Sequence, residues 1–269
     1  MTERQKFLYD TCGYLVLEDV LTSDQCEGLL AALQKIMSTP KEQLPRGVGC
    51  GHTPESHESH MGSLWNAGPP FTDLIDLPPV VEILKEVIHH ELRLESSYCF
   101  IRHKGFRGLK LHGGGHWDSD GQDLILMYRH FNGKIFSGNT VVGFCLADEL
   151  YEPEGGFCCI PGSHKANFPV PDDVKHVDEN GIDHSLVKVV PAKAGSAVIF
   201  PEALCHGAGP WNNDKDRISL FYKYSHVGMK FRPGFPTKEA MEGMTENQRL
   251  FFTEVNSDSR TKRVPHPGT

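Results

Sequence analysis

The chain has 269 residues, of which 39% are hydrophobic and 23% charged, a composition that suits one sizeable domain with a full core. A formal net charge of −8 excludes the broad basic surface on which non-specific nucleic-acid binding relies, and no apolar run approaches the ~18 residues of a membrane span. Eight cysteines without a Cys-x-x-Cys pair, with Cys158 and Cys159 adjacent, read as buried or free thiols rather than a disulfide framework. No secretory signal is visible, so the expected compartment is reducing and cytoplasmic.

The segment from Phe7 to Val20 contains Gly13-Tyr-Leu-Val-Leu, a short strand pattern. A helix is predicted over 23–38. Thr22 and Gln25 can form a capping box, and Cys26, Leu29, Leu30, Leu33, Ile36 and Met37 recur at helical spacing before Pro40. Residues 40–70 are rich in proline and glycine, carry His52, His57 and His60, and show no period. They read as a long loop, either solvated or serving as a lid. Asp76-Leu-Pro-Pro opens a second helix over 79–90, with Val80, Ile83, Leu84, Val87 and Ile88 as its stripe and His89 and His90 in its last turn.

From there the period becomes two. Strands are predicted over 97–103, 107–112, 139–147, 156–160, 186–190, 196–200 and 217–225, each bounded by Gly, Pro, Asn or Asp. Helices followed by so many strands predict a mainly β protein, a sandwich or barrel with helices packed outside it. Neither a repeat nor a linker divides the chain, so 1–269 is expected to be a single domain. Residues 226–269 would form a peripheral segment with one or two short helices and a mobile tail from Asn256.

The chemistry concentrates in Leu109-Lys-Leu-His-Gly-Gly-Gly-His-Trp-Asp-Ser-Asp120. His112, His116 and Asp118 offer imidazole and carboxylate donors around a flexible glycine run. His206 follows far along the chain at the end of an apolar run, and Arg217 comes shortly after it. Two histidines and a carboxylate on one face of an iron leave three positions open, and an Arg fork suits the carboxylate of a small acid.

The segments 7–21, Leu111 to Asp118, Gly155-Gly-Phe-Cys-Cys-Ile-Pro-Gly-Ser-His-Lys165 and 200–225 together resemble the phytanoyl-CoA dioxygenase family. The resemblance implies a double-stranded β-helix of the jelly-roll, cupin-like type. It also implies Fe(II), 2-oxoglutarate and O2 as reactants, with ascorbate to keep iron reduced. The family's distal His and following Arg fall on His206 and Arg217; Ser219, on the same strand face, would join Arg217 in holding the co-substrate. Where the family often has Ser or Thr two residues after the distal His, this chain has Ala208, so one co-substrate hydrogen bond is absent or replaced.

Two registers compete for the first ligand. The strand ending at His112 has Gly114 at the position where His-x-Asp requires its carboxylate, whereas His116 and Asp118 match His-x-Asp but follow three glycines. Asp118 or Asp120 could also fold back toward His112. Three functions follow: an oxygenase hydroxylating a small molecule or acyl chain with release of succinate and CO2, a halogenase in which Gly114 leaves room for chloride, or a catalytically degenerate jelly-roll binding protein. Trp65, Trp117, Tyr128 and Arg129 are candidates for a substrate pocket. Arg102, His103, Lys104 and Lys110 read as a solvated basic face or, near the presumed mouth, as a site for an anionic substrate, and His164 reads as a structural turn residue. Cys145, Cys158, Cys159 and Cys205 read as core.

Overall fold

The computed structural model describes residues 1–88, 91–113, 126–150, 155–178, 181–182, 185–232, 234–255 and 265–269. In chain order its principal elements begin with helix α1 (Glu3–Cys12), strand β1 (Leu15–Leu17) and helix α2 (Ser23–Ser38). Then come β2 (Gly49–Thr53), β3 (Glu58–Gly62), α3 (Pro78–Ile88), β4 (Leu92–Arg102) and β5 (Leu109–His112). The hairpin β6 (Tyr128–Phe131) and β7 (Lys134–Ser137) leads to β8 (Thr140–Cys145) and β9 (Gly156–Cys159). Two-residue strands β10 (Val177–Asp178), β11 (Gly181–Ile182) and β12 (Lys188–Val189) precede β13 (Ala197–Pro201), β14 (His206–Gly209) and β15 (Arg217–His226). Short helices α4 (Lys238–Gly243) and α5 (Glu246–Arg249) follow.

The strands form a seven-stranded sheet in the order β1-β13-β8-β15-β4-β3-β2 and a four-stranded sheet in the order β12-β9-β14-β5, with antiparallel pairing in both. This is the expected jelly roll. Alternation along the central strands assigns each face. On β15, Leu220, Tyr222 and Tyr224 join the core that the large sheet makes with the helices, while Arg217, Phe221 and Lys223 line the space between the sheets. On β4, Cys99 and Ile101 face the helices, and Tyr98, Phe100 and Arg102 face inward.

Helix α2 spans the predicted 23–38 with its capping box formed by Thr22 and Gln25, and it buries Cys26, Leu29, Leu33 and Ile36. Helix α3 buries the predicted stripe from Val80 to Ile88; His89 and His90 lie outside the described residues. Three readings change. Helix α1 occupies residues expected to lead into a strand, because Thr2 and Gln5 form a capping box and Gly13 closes the helix in the left-handed conformation; Tyr9 is its buried residue. The expected loop 40–70 contains the β2–β3 hairpin, which extends the large sheet through β3–β4 pairing. The ladder is contributed by backbone, so its Gly- and His-rich residues give no apolar alternation. Residues 265–269 are docked rather than loose, with Thr269 N–H on Pro236 O at 3.0 Å and Lys238 N–H on Thr269 O at 3.3 Å.

Among the described residues no helix is long and apolar enough to cross a membrane. All eight cysteines are free, and Cys145, Cys158, Cys159 and Cys205 are buried as expected.

Candidate metal and co-substrate site

The site lies between the sheets, where β14 pairs with β5 and places His206 directly opposite His112, their ring centroids 4.3 Å apart. This approach depends on glycine. Gly113 has φ +79°, and a Cβ there would stand 2.5 Å from Glu202 O and 2.6 Å from Leu204 O, both backbone atoms that cannot swing away.

Both imidazoles are oriented by the main chain. His206 Nδ1 donates to Leu204 O at 2.7 Å, and His112 Nδ1 donates more weakly to Lys110 O at 3.3 Å. A carbonyl oxygen only accepts, so Nδ1 carries a proton in each ring, and in the neutral tautomer this selects, Nε2 is the atom that can bind a ligand or metal. His206 is 7% exposed, and burial together with the neighbouring His112 lowers its pKa to about 4, so the ring is neutral near pH 7.

Glu202 closes the group. It follows β13 and is held by Glu202 N–H on Asn139 O at 2.8 Å; one ligand atom each from His112, Glu202 and His206 lie within 4.8 Å of one another. Burial acts to raise the Glu202 pKa, but Lys223 and the two histidines outweigh it and the net shift is downward; Lys223 Nζ lies 2.5 Å from Glu202 Oε1. Sequence reasoning missed Glu202. Its signal was present in Phe-Pro-Glu-Ala-Leu-Cys-His, a carboxylate four residues before His206, but four residues is not a spacing that a strand would bring to one ion.

A cavity of about 70 Å³ runs from these groups to Arg217 and Arg102 between aromatic walls that include Phe157, Phe200 and Phe221. Arg217 is 3% exposed, and its Nε lies 2.6 Å from Glu149 Oε2. Its Nη1 has no hydrogen-bond partner among the described residues, which leaves a buried donor for an anionic guest. Ser219 does not present a free hydroxyl, since its Oγ donates to Glu149 Oε1 at 2.9 Å and so steadies the counter-ion of Arg217. Glu149 is a second residue the sequence reading missed, and nothing in Ala147-Asp-Glu-Leu150 marks it. Ala208 is 1% exposed and packs with Phe106 and Trp211.

His116, Asp118, Asp120, Gly114 and Trp117 lie outside the described residues. Of the expected solvated basic face, Arg102 is instead buried against Glu58 at 3.0 Å and lines the cavity; the rings of Phe100 and Phe106 stack with it. Lys104, His103 and Lys110 each meet a carboxylate, Asp214, Asp216 and Asp172 respectively. His103 also contacts Ser59 Oγ at 3.1 Å, and His52 contacts the same oxygen at 2.9 Å. Ser59 is 3% exposed, whereas His52 is exposed and His103 half-buried, so this row is a clasp at the edge of the β2–β3 hairpin with only its serine buried. Trp65 and Tyr128 are core residues; Tyr128 donates to Asp10 at 2.8 Å.

The phytanoyl-CoA dioxygenase (PhyH) family profile matches residues 9–219. Among solved structures, HygX from Streptomyces hygroscopicus with nickel, 2-oxoglutarate and hygromycin B bound superposes with a TM-score of 0.73 at 24% identity, covering 86% of this chain and 89% of that one. The non-haem alpha ketoglutarate dependent carbocyclase SnoK from nogalamycin biosynthesis superposes with a TM-score of 0.63 at 18% identity, covering 87% of each chain. EctD from S. alaskensis, with 2-oxoglutarate and 5-hydroxyectoine, gives a TM-score of 0.63 at 18% identity over 84% of this chain and 77% of that one. At these identities the superpositions establish the fold. A search of curated protein sequences returns no match.

Proposed function

The chain belongs to the phytanoyl-CoA dioxygenase family and is a non-haem iron, 2-oxoglutarate-dependent oxygenase; from that premise we propose that it hydroxylates a small molecule, with His112 and His206 holding iron and Arg217 anchoring the co-substrate. The donor set fits the metal: two imidazoles whose Nδ1 atoms donate to backbone carbonyls, which turns Nε2 to the site, and a carboxylate within 4.8 Å. When bound, iron supplies O2 activation coupled to the oxidative decarboxylation of 2-oxoglutarate to succinate and CO2.

The rest of the work falls to the protein. Arg217, oriented by Glu149, presents its guanidinium to the distal carboxylate of the 2-oxo acid. The aromatic wall of Phe157, Phe200 and Phe221 excludes water, which strengthens that charge contact. His112 is the more exposed ligand, so substrate would reach the site from its side.

The observation that carries the reading is the buried Arg217 Nη1, without a hydrogen-bond partner among the described residues, in the same cavity as the His112–His206 pair. A zinc hydrolase would bind the same donors but would have no use for that guanidinium. The test is turnover of 2-oxoglutarate to succinate by the purified protein with Fe(II), ascorbate and O2. Turnover no higher than an iron-free blank, in the presence of a broad set of small-molecule substrates, would favour a binding protein on the same scaffold.

A halogenase is the second reading, because the residue in register with His206 is His112, and its i+2 position is Gly114. Chlorinated product formed only with chloride, and lost in Gly114→Asp, would support it. Hydroxylated product in chloride-free buffer would reject it.

A further inference from the structure

We propose that Glu202, from the turn between β13 and β14, supplies the carboxylate ligand of the metal site. The two-histidine, one-carboxylate set would then be His112, His206 and Glu202 rather than a His-x-Asp pair with a distal His. The inference rests on the iron site proposed above.

The strand register leaves His112 without a carboxylate of its own, since Gly114 stands where one would be. A ligand must then come from another element or be absent. The β13–β14 turn meets the need: Glu202 lies four residues before His206, and the turn is closed by Leu204 N–H on Pro201 O at 2.9 Å. The turn approaches Gly113 so closely that a Cβ there would stand 2.5 Å from Glu202 O and 2.6 Å from Leu204 O, which holds the turn beside His112. The three ligand atoms converge within 4.8 Å without any side chain from the 114–125 segment.

The carboxylate's surroundings also suit this role. Glu202 is 8% exposed, beside Phe200 and Phe221, where an ionised carboxylate is costly unless paired. Lys223 engages Oε1, which leaves the second oxygen for an ion, and it neutralises the Glu202 charge. A divalent ion added to this neutral group gives the site a charge of two, which the dianion of a 2-oxo diacid cancels. Lys223 thus acts as a positioning residue.

The experiment is anaerobic titration of metal-free protein with Co(II), and with Fe(II) plus 2-oxoglutarate. Calorimetry gives the affinity, and the ligand-field spectrum of Co(II) and the charge-transfer absorption of the Fe(II)–2-oxo acid chelate report coordination. Wild type is compared with Glu202→Gln, Asp118→Asn and His206→Ala. We expect Glu202→Gln to weaken Co(II) binding by more than about tenfold, the loss typical even of an outer partner, with Asp118→Asn unchanged. If Glu202→Gln does not fold, Glu202→Asp takes its place; it should fold and shift the Co(II) spectrum.

Weakened binding in Asp118→Asn with none in Glu202→Gln would overturn the proposal in favour of Asp118. So would unchanged affinity and spectra in both variants with binding strengthened by chloride, which would mark an open position for halide. Metal binding unaffected by His206→Ala, or absent from wild type, would overturn the iron site itself, an outcome distinct from loss of the Glu202 assignment alone.

Discussion

Arg217 and Arg102 stand directly opposite each other on the β4–β15 ladder, and each guanidinium has its own carboxylate, Glu149 at 2.6 Å and Glu58 at 3.0 Å. Two buried cations side by side repel. Burial, with Arg217 next, lowers the Arg102 pKa to about 10, and only the paired carboxylates make the arrangement tenable. Arg217 retains an Nη1 with no hydrogen-bond partner among the described residues. Arg217→Ala should therefore raise the 2-oxoglutarate concentration needed for half-maximal turnover strongly while leaving Co(II) affinity unchanged. Equal co-substrate affinity in the variant would remove Arg217 from the site.

Glu149 holds Arg217 and also accepts from Ser219 and, at 3.3 Å, from Phe157 N–H. Glu149→Gln leaves a buried guanidinium without its counter-ion and should cost about 3–5 kcal/mol of stability in urea denaturation. Saturating 2-oxoglutarate, which would bring a carboxylate to the same guanidinium, should restore part of that loss.

Lys223 and Glu202 give a parallel prediction. In Lys223→Met the buried carboxylate loses its cation, and the metal-free protein should lose about 3–5 kcal/mol. Because a divalent ion would take over neutralisation of Glu202, adding Co(II) should raise the melting temperature of this variant by more than it raises that of wild type. An equal rise in both would separate Glu202 from the metal.

Gly113→Ala tests the contact between β5 and the Glu202 turn. A left-handed φ of +79° costs a residue with a Cβ about 1–3 kcal/mol, and the new methyl would meet two carbonyl oxygens. The variant should lose stability by at least this amount and bind Co(II) more weakly, as calorimetry would show.

His164 gives the pH dependence. Its Nε2 donates to Asp10 O at 2.9 Å, its Nδ1 is buried without a hydrogen-bond partner among the described residues, and burial lowers its pKa to about 4. The unfolded chain takes up this proton near pH 6.5, the folded chain only near pH 4, so stability falls as pH drops through that window. The contribution is of order 3 kcal/mol. In His164→Gln the difference in unfolding free energy between pH 7 and pH 4 should shrink by about that amount.

The sequence by itself determined the elements whose signal is local. The capping box at Thr22 and Gln25 and the stripe Cys26, Leu29, Leu33 and Ile36 define α2, while short β-branched and apolar runs mark β8 and β13, buried throughout, and alternation marks β15. It also put forward His206 and Arg217, with His112 or else His116 and Asp118, as residue types fit for iron and a 2-oxo acid. The β2–β3 hairpin and β14 were hidden because their residues, Gly-Cys-Gly-His-Thr and His-Gly-Ala-Gly among them, pair through backbone and carry no apolar alternation.

Only the tertiary structure decided which donors meet. His112 and His206 are neighbours because β5 and β14 pair across nearly a hundred residues of chain, and Glu202 joins them because a turn aims it sideways out of β13. The pairing of Arg217 with Glu149 likewise joins β15 to the segment after β8. Periodicity shows which face a side chain takes, but convergence depends on strand register and turn geometry, which are set by hydrogen bonds between segments distant in sequence.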